Sequence, residues 1–405
     1  MVDTTLSRMI RKGQLCVTFP DGKTRVYGPG DAPQAGMRIA DDRTLRALCI
    51  NPELALGEGY MDGRIEIEGE AVADLLTLLL RNRDDAALPV PARALNKMRY
   101  WLRMRIQRNT PRIARRNVAH HYDLSDDLYA LFLDEDWQYS CAYFAEPGMT
   151  LEEAQAAKKS HIAQKLMIEP GMRVLDIGCG WGGMALTLAR DYGARVTGVT
   201  LSENQLARGR TRAETAGLSD RIDLRLQDYR TLTETFDRIV SVGMLEHVGV
   251  PQYATYFDKV HDMLAPEGVA LIHTIGRIGP PTAPSPWINK YIFPGGYVPS
   301  LSELAPALEA LGLYHTDLEI WRTHYAKTLR EWRERFEAQL TAVRKMYDER
   351  FIRMWRYYLT ACECAFEEQG QAVFHMQLAH DQRAVPVTRD YLYPAQPNVQ
   401  RHAAQ

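Results

Sequence analysis

Arg173-Val-Leu-Asp-Ile-Gly-Cys-Gly-Trp-Gly-Gly183 decides the fold: a short apolar run of strand character passes into Gly-x-Gly-x-Gly and then, from near Met184, into a helix-forming segment. Glycines at 178, 180 and 182 let the chain turn tightly and let backbone approach a ligand closely. The start of the helix offers unpaired N–H groups to an anion or carboxylate. An acid, Asp176, stands just before the glycines, and the spacing departs from the Gly-x-Gly-x-x-Gly dinucleotide fingerprint. The stretch points to S-adenosylmethionine as ligand, with NAD binding and a purely structural turn as the other readings.

Working outward, the chain from about residue 118 alternates helical and strand-like segments, which implies an α/β, mostly parallel, doubly wound sheet. After 173–177 the expected strands are 194–200, 222–227, 236–242 and 269–274. Open sheets of this kind bind ligands beyond the carboxyl ends of their strands, so the residues after each strand are the candidates. Thr200-Leu201-Ser202-Glu-Asn-Gln205 follows the second strand, and Ser202 and Gln205 have capping-box spacing. The same placement puts Thr200 and Gln205 where a ribose would lie. Gln227-Asp228-Tyr229 follows the third strand and offers an acceptor and an aromatic face to an adenine; a solvated loop is the plainer alternative.

Residues 1–85 read differently. Strand-like runs at 15–19, 24–27 and 64–68 are broken by Asp-Gly and Pro-Gly turns and alternate with helical stretches near 45–49 and 72–80, which implies a small α+β unit. Pro89 and Pro91 mark a boundary. The expected division is 1–90, a basic linker or helix over 91–120, and a catalytic part over 121–395.

The 405 residues carry 46% hydrophobic and 25% charged side chains, an ordinary soluble composition with room for two or three domains. The N-terminus lacks the apolar core of a signal peptide, and no run approaches the roughly eighteen apolar residues that cross a bilayer, which places the chain in the cytoplasm. Cys16, Cys49, Cys141, Cys179, Cys362 and Cys364 show neither a disulfide framework nor paired zinc spacing, and Cys362-Glu-Cys364 reads as packing. No metal is expected.

The net charge of −2 conceals an asymmetry: residues 1–122 carry +6 and the remainder −8. Arg93, Lys97, Arg99, Arg103, Arg105, Arg108, Arg112, Arg115 and Arg116 fall in a stretch without an acid. On a helix, Leu95, Met98, Leu102 and Ile106 form an apolar stripe beside those charges, as in a segment that lies on an anionic membrane. An interdomain helix with a solvated basic face fits the composition equally, and no motif supports nucleic-acid binding.

Three further segments carry chemistry. Glu246 and His247 follow the fourth strand, in Ser241-Val-Gly-Met-Leu-Glu-His-Val-Gly249. His273 ends the fifth, where an imidazole after a buried apolar run needs a partner or a task. Cys141 in Gln138-Tyr-Ser-Cys-Ala-Tyr-Phe144 has no neighbouring cation in sequence to activate it, which favours binding over attack.

Tyr139-Ser-Cys-Ala-Tyr143, Val174-Leu-Asp-Ile-Gly-Cys-Gly-Trp-Gly-Gly183, Glu246-His-Val-Gly249, His273-Thr-Ile275, Trp287-Ile-Asn-Lys-Tyr-Ile-Phe-Pro-Gly295 and His324-Tyr-Ala-Lys-Thr328 together resemble the cyclopropane-fatty-acyl-phospholipid synthases and the related enzymes that modify mycolic acids. The match runs in order from about residue 121 to 364. The resemblance implies a Rossmann-like methyltransferase fold with helical additions, and methyl transfer from S-adenosylmethionine to the double bond of an unsaturated acyl chain on a membrane phospholipid. Attack by an alkene leaves a carbocation, and a base must take a proton from the new methyl for the ring to close. The family's base is bicarbonate, and by motif its cage here comprises Cys141, Glu246, His273, Ile275 through its backbone, and Tyr325. The implied cofactor set is Tyr139, Ser140, Asp176, Gly178, Gly180, Thr200, Leu201, Gln205, Gln227, Asp228, Tyr229 and Val242. The resemblance further implies peripheral contact with the inner face of the cytoplasmic membrane through basic residues 93–116, and a homodimer. An enzyme that stops at a methylene- or methyl-branched acyl chain is the alternative within the same chemistry.

Overall fold

The computed structural model describes residues 2–110, 113–114 and 125–393. Arg112, Arg115 and Arg116 of the basic stretch lie outside these residues, as does residue 121, where the family resemblance begins. The larger part is built on a seven-stranded sheet in the order β10-β11-β9-β8-β5-β6-β7. Its strands are β5 (Arg173–Ile177), β6 (Arg195–Thr200), β7 (Ile222–Leu226), β8 (Phe236–Val242), β9 (Leu264–Arg277), β10 (Tyr314–Trp321) and β11 (Gln371–Ala379). The strands β7, β6, β5, β8 and β9 pair in parallel. β5 sits in the middle and is buried at every residue but its first, as a parallel strand covered on both faces must be.

From β5 the chain moves outward through β6 and β7, then returns to place β8 on the other side of β5. That reversal opens a crevice at the carboxyl ends of β5 and β8. Gly178 (φ +83°) and Gly180 (φ +53°) line its floor in a conformation that L side chains rarely adopt, which Gly182 (φ +79°) shares. Gly182 caps the helix Gly183–Asp191.

Two strands go beyond the sequence expectation. β11 runs antiparallel to β9, and β10 antiparallel to β11. They extend the sheet past β9 and bury it, so β9 continues three residues beyond the expected end at 274. β11 follows the long helix Glu349–Glu368 and is wholly buried after its first residue.

The N-terminal residues form a second sheet in the order β2-β1-β3-β4, from β1 (Gln14–Thr18), β2 (Thr24–Tyr27), β3 (Gln34–Ile39) and β4 (Ile65–Ile67). β3 and the helix Pro52–Met61 were not legible in sequence: β3 includes Gly36 and lacks alternation, and the helix carries two glycines. Gly57 is needed where it stands, because a Cβ would lie 2.4 Å from the ring of Trp287. Trp287 Nε1 donates to Met61 Sδ, and Lys290 pairs with Glu58 at 2.6 Å, so the small sheet's helices dock directly on the larger part. One apolar core runs from Leu15 and Leu75 through Trp287 to Trp332 and Trp355.

The helix Val90–Ile106 follows Pro89. Its expected stripe is largely uncovered: Leu95 is half-buried, while Met98, Leu102 and Ile106 are exposed and Trp101 is 72% exposed. Arg103 departs from the expected free cation. It lies over the Tyr100 ring at 3.9 Å and 3.7 Å from Glu303, turned into the protein. Among the described residues no helix is long and apolar enough to cross a membrane.

Candidate active site

Two adjoining cavities open at the crevice, and they share Tyr139, Ser140, Gly243 and His247 as common wall. The first is lined by all of the cofactor candidates, from Tyr139 and Ser140 through Asp176, Gly178, Gly180, Thr200, Leu201, Gln205, Gln227, Asp228 and Tyr229 to Val242. Each arrives at the end of a parallel strand or, for Tyr139 and Ser140, on the segment that crosses the crevice. Thr200 donates to Gln205 Oε1 at 3.0 Å, and Ser202 accepts from the Gln205 N–H at 3.3 Å, so the helix start after β6 is ordered with its polar groups toward the cavity. Arg230 holds the carboxylate of Asp228 through Nη2 at 2.6 Å and Nε at 2.9 Å.

The glycine loop fits a bulky ligand: a Cβ at Gly180 would meet nothing, so the backbone there is bare to the cavity. Asp176 is buried, and its Oδ2 has no hydrogen-bond partner among the described residues. Burial pushes its carboxyl up to about 7.

The second cavity is lined by Glu246, His273, Ile275 and Tyr325 of the expected cage, with Phe293, Tyr358, Cys362 and Phe366 among its further walls. Glu246 stands in a short 3-10 turn after β8, where its backbone carbonyl accepts from Tyr297 N–H at 2.9 Å. Its Oε1 accepts the backbone N–H of Ile275 at 2.6 Å and the Thr274 hydroxyl also acts on the carboxyl, while Oε2 is buried without a hydrogen-bond partner among the described residues. A carboxylate with one bonded and one bare oxygen in a dry wall resists ionisation, and burial pushes Glu246 up to about 7. The bare oxygen fits a small ligand that can donate an O–H, as bicarbonate can.

Cys141 stands apart from the rest of the expected cage. It lines neither cavity, is fully buried, and its thiol lies 3.3 Å from the carbonyl of Ala142. Ser140 and Cys141 are neighbours on one segment and face opposite sides, so Ser140 takes the common wall and Cys141 turns into the core. Burial pushes that thiol well up, away from thiolate character. Cys362, read from sequence as packing, packs against the core and also forms part of the cavity wall.

Sequence reasoning also missed what holds the common wall. Gln155 and Lys158 lie three apart on one face of the helix Leu151–Lys165. Gln155 Nε2 donates to the carbonyls of Gln138 and Ser140, at 3.3 and 3.0 Å. Lys158 Nζ donates to Gln138 Oε1 and Ser140 Oγ, both at 2.8 Å, and burial pulls its ammonium down to about 7. The Gln155–Lys158 spacing was the available signal, since two polar residues i, i+3 on a helix otherwise buried on that face need partners.

Residues 109–376 match the family described as mycolic acid cyclopropane synthetase, and residues 1–88 match a domain of unknown function (DUF7884). The chain is 42% identical over 350 residues to the cyclopropane-fatty-acyl-phospholipid synthase of Escherichia coli (strain K12), covering 83% of this chain and 85% of that one. It is 36% identical over 395 residues to a probable fatty acid methyltransferase of Pseudomonas putida, covering 92% of this chain and 94% of that one. Among solved structures, mycolic acid cyclopropane synthase CmaA1 complexed with SAH and CTAB superposes with a TM-score of 0.62 at 35% identity, covering 65% of this chain and 97% of that one. With the switch-point crevice, the glycine loop and these matches together, the chain belongs to the mycolic acid cyclopropane synthetase family and is an S-adenosylmethionine-dependent methyltransferase.

Proposed function

We propose that this enzyme transfers a methylene group from S-adenosylmethionine to the double bond of unsaturated acyl chains of membrane phospholipids, forming cyclopropane fatty acids, with a bound bicarbonate ion as the base. The observation that carries the reading is the bare Oε2 of Glu246 in the wall of an aromatic cavity that abuts the cofactor cavity. When bound, S-adenosylmethionine supplies an electrophilic methyl and bicarbonate supplies a small base that does not become alkylated as a side chain would.

The residues of the chain do the rest. Tyr139 and Ser140, in the common wall, mark where the methyl meets the alkene, and Gln155 and Lys158 hold that wall still. Tyr325, Phe293 and Phe366 offer π faces to a carbocation and exclude water from it. Glu246 Oε2 accepts an O–H, the backbone of Ile275 orders the carboxylate from the other side, and Tyr325 passes the released proton outward. Cys141 contributes through its place behind Ser140.

The same reading assigns residues 1–90 to a small N-terminal unit, 91–120 to contact with the inner face of the cytoplasmic membrane, and 121–395 to catalysis. The uncovered Trp101, Met98 and Ile106 beside Arg93, Lys97 and Arg105 support that contact. The likeness to a probable fatty acid methyltransferase over nearly the whole chain favours a second reading, in which the product is a methylene- or methyl-branched chain.

Expression in a bacterium lacking cyclopropane lipids, followed by mass spectrometry and gas chromatography of the membrane acyl chains, separates these. A gain of one CH2 that co-elutes with a cyclopropane standard is the expected result. The same mass eluting as a methylene isomer, or a gain of CH4 as a saturated methyl branch, moves the assignment to the second reading. Unchanged lipids from folded, cofactor-binding enzyme overturn both.

A further inference from the structure

Behind His273, away from the second cavity, stands another histidine that the chemistry above does not use. The antiparallel register of β9 and β11 sets His273 and His375 directly opposite one another, which brings their side chains together on one face. Their rings meet at His273 Nδ1 and His375 Nε2, 2.7 Å apart. Both residues are buried, and Trp321 of β10 lies over His375 with ring centroids 3.9 Å apart, fixing its plane. On its far side, His375 Nδ1 is buried with no hydrogen-bond partner among the described residues. His273 lines the cavity and His375 does not, so Nε2 is the nitrogen that His273 has left for the cavity.

Which ring donates follows from counting protons, the tautomer being set by the partners of each nitrogen. Burial holds both imidazoles well below the usual histidine range, with Lys158 and Lys165 adding to it for both rings and His273 for His375, so each ring is neutral and carries one N–H. If His273 Nδ1 donated, His375 would have to carry its own proton on Nδ1, a buried donor with nothing among the described residues to receive it. If His375 Nε2 donates, the orphaned atom is a lone pair. An orphaned buried donor is the rarer and costlier feature.

We propose that His375 is a positioning residue that donates its Nε2–H to Nδ1 of His273 and so locks the tautomer in which His273 turns an N–H donor toward the second cavity. The cavity then presents a donor at His273 and an acceptor at Glu246 Oε2, which selects a small oxyanion that still bears a hydroxyl. The inference deepens the proposed cage, but its first test needs neither lipid nor product.

The ring nitrogens of the 15N-histidine-labelled full chain report the tautomer directly, with His273 assigned by the signals lost in His273→Gln. The expected spectrum shows His273 protonated on Nε2 and bare on Nδ1. His375→Gln keeps an N–H donor and His375→Leu removes it. The Gln variant is expected to keep the tautomer and turn over within about threefold of wild type, whereas the Leu variant loses the tautomer and about 10–100-fold in kcat, with KM for S-adenosylmethionine unchanged. Wild-type His273 protonated on Nδ1 overturns the proposal, as does a folded Leu variant with an unchanged tautomer and turnover. If the Leu variant does not fold, the wild-type spectrum and the Gln variant still decide. The expected tautomer in an enzyme that leaves lipids unchanged would sink the lipid reading and leave this one standing.

Discussion

The two cavities share a wall and balance their polar atoms differently. In the cofactor cavity the side chains mostly settle one another: Thr200 bonds Gln205, and Arg230 clamps Asp228. In the second, Glu246 keeps one oxygen bare and His273 uses its inward nitrogen on His375. Settled polar walls make a preorganised bed that recognises shape. A bare carboxylate oxygen in a dry aromatic wall is costly until something meets it, which is the condition under which a few fixed groups act strongly on developing charge. Binding and chemistry are thus divided between neighbouring spaces, with Asp176 Oδ2 as the one unsettled acid on the cofactor side.

Glu246→Gln tests that division most severely, because the amide replaces an acceptor by a donor in nearly the same shape. We expect kcat to fall by about 10²–10⁴ while S-adenosylmethionine affinity by calorimetry stays close to wild type. Unchanged turnover would remove Glu246 from the chemistry and dissolve the contrast.

Gly178→Ala disturbs the other side. At φ +83°, with a Cβ 3.1 Å from Met244 Cγ, the substitution is strained and crowds the loop. A loss of about 1–3 kcal/mol in cofactor affinity or stability is expected, with kcat at saturation less affected. A kcat collapse at full occupancy would show that the loop also governs the reacting geometry.

The surface offers a third, smaller test outside both cavities. Trp101→Ala should weaken binding to anionic vesicles by about tenfold. Arg105→Gln with Arg108→Gln should add a salt-dependent loss, and Arg103→Gln should add less, because Arg103 is already engaged with Tyr100 and Glu303. Cosedimentation that does not distinguish these variants from wild type would leave the helix as a connector.

Stability against pH tests the same contrast without any ligand. Burial raises Glu246 and Asp176 to about 7 in the folded protein. Between the ordinary carboxylate range and 7 the folded state therefore holds more protons than the unfolded one, and these two groups make stability fall as pH rises. Glu246→Gln removes one of them, so the ligand-free variant should gain roughly 1–3 kcal/mol near pH 8 and almost nothing near pH 5 in thermal unfolding. An equal gain at both values would mean that packing, not charge, is responsible.

Apart from Tyr139 and Ser140, which a motif singled out, the candidate residues of the cofactor cavity were legible because they lie within a few residues of a strand end. Gly178 and Gly180 follow β5, Thr200 ends β6, Asp228 follows β7 and Val242 ends β8, and a parallel sheet brings those ends together whatever its side chains are. The second cavity was legible only in fragments. Glu246, His273 and Tyr325 were singled out by motif, but Cys141 turned out to face the core and Cys362 the cavity, since the facing of a residue on an irregular segment depends on what packs against it. Gln155 and Lys158 belong to no motif, and only what they touch shows their part in the wall.

The five parallel strands in their order, the glycine turn, the acid before it and the polar residues after these strands were determined by sequence alone, because backbone conformation and strand periodicity are local properties. Tertiary structure decided the antiparallel additions β10 and β11, the common wall held by a helix's Gln155 and Lys158, and the pairing of His273 with His375 across 102 positions. Those outcomes rest on register and burial between segments distant in the chain. The free energy of a buried proton, charge or lone pair depends on what surrounds it in three dimensions.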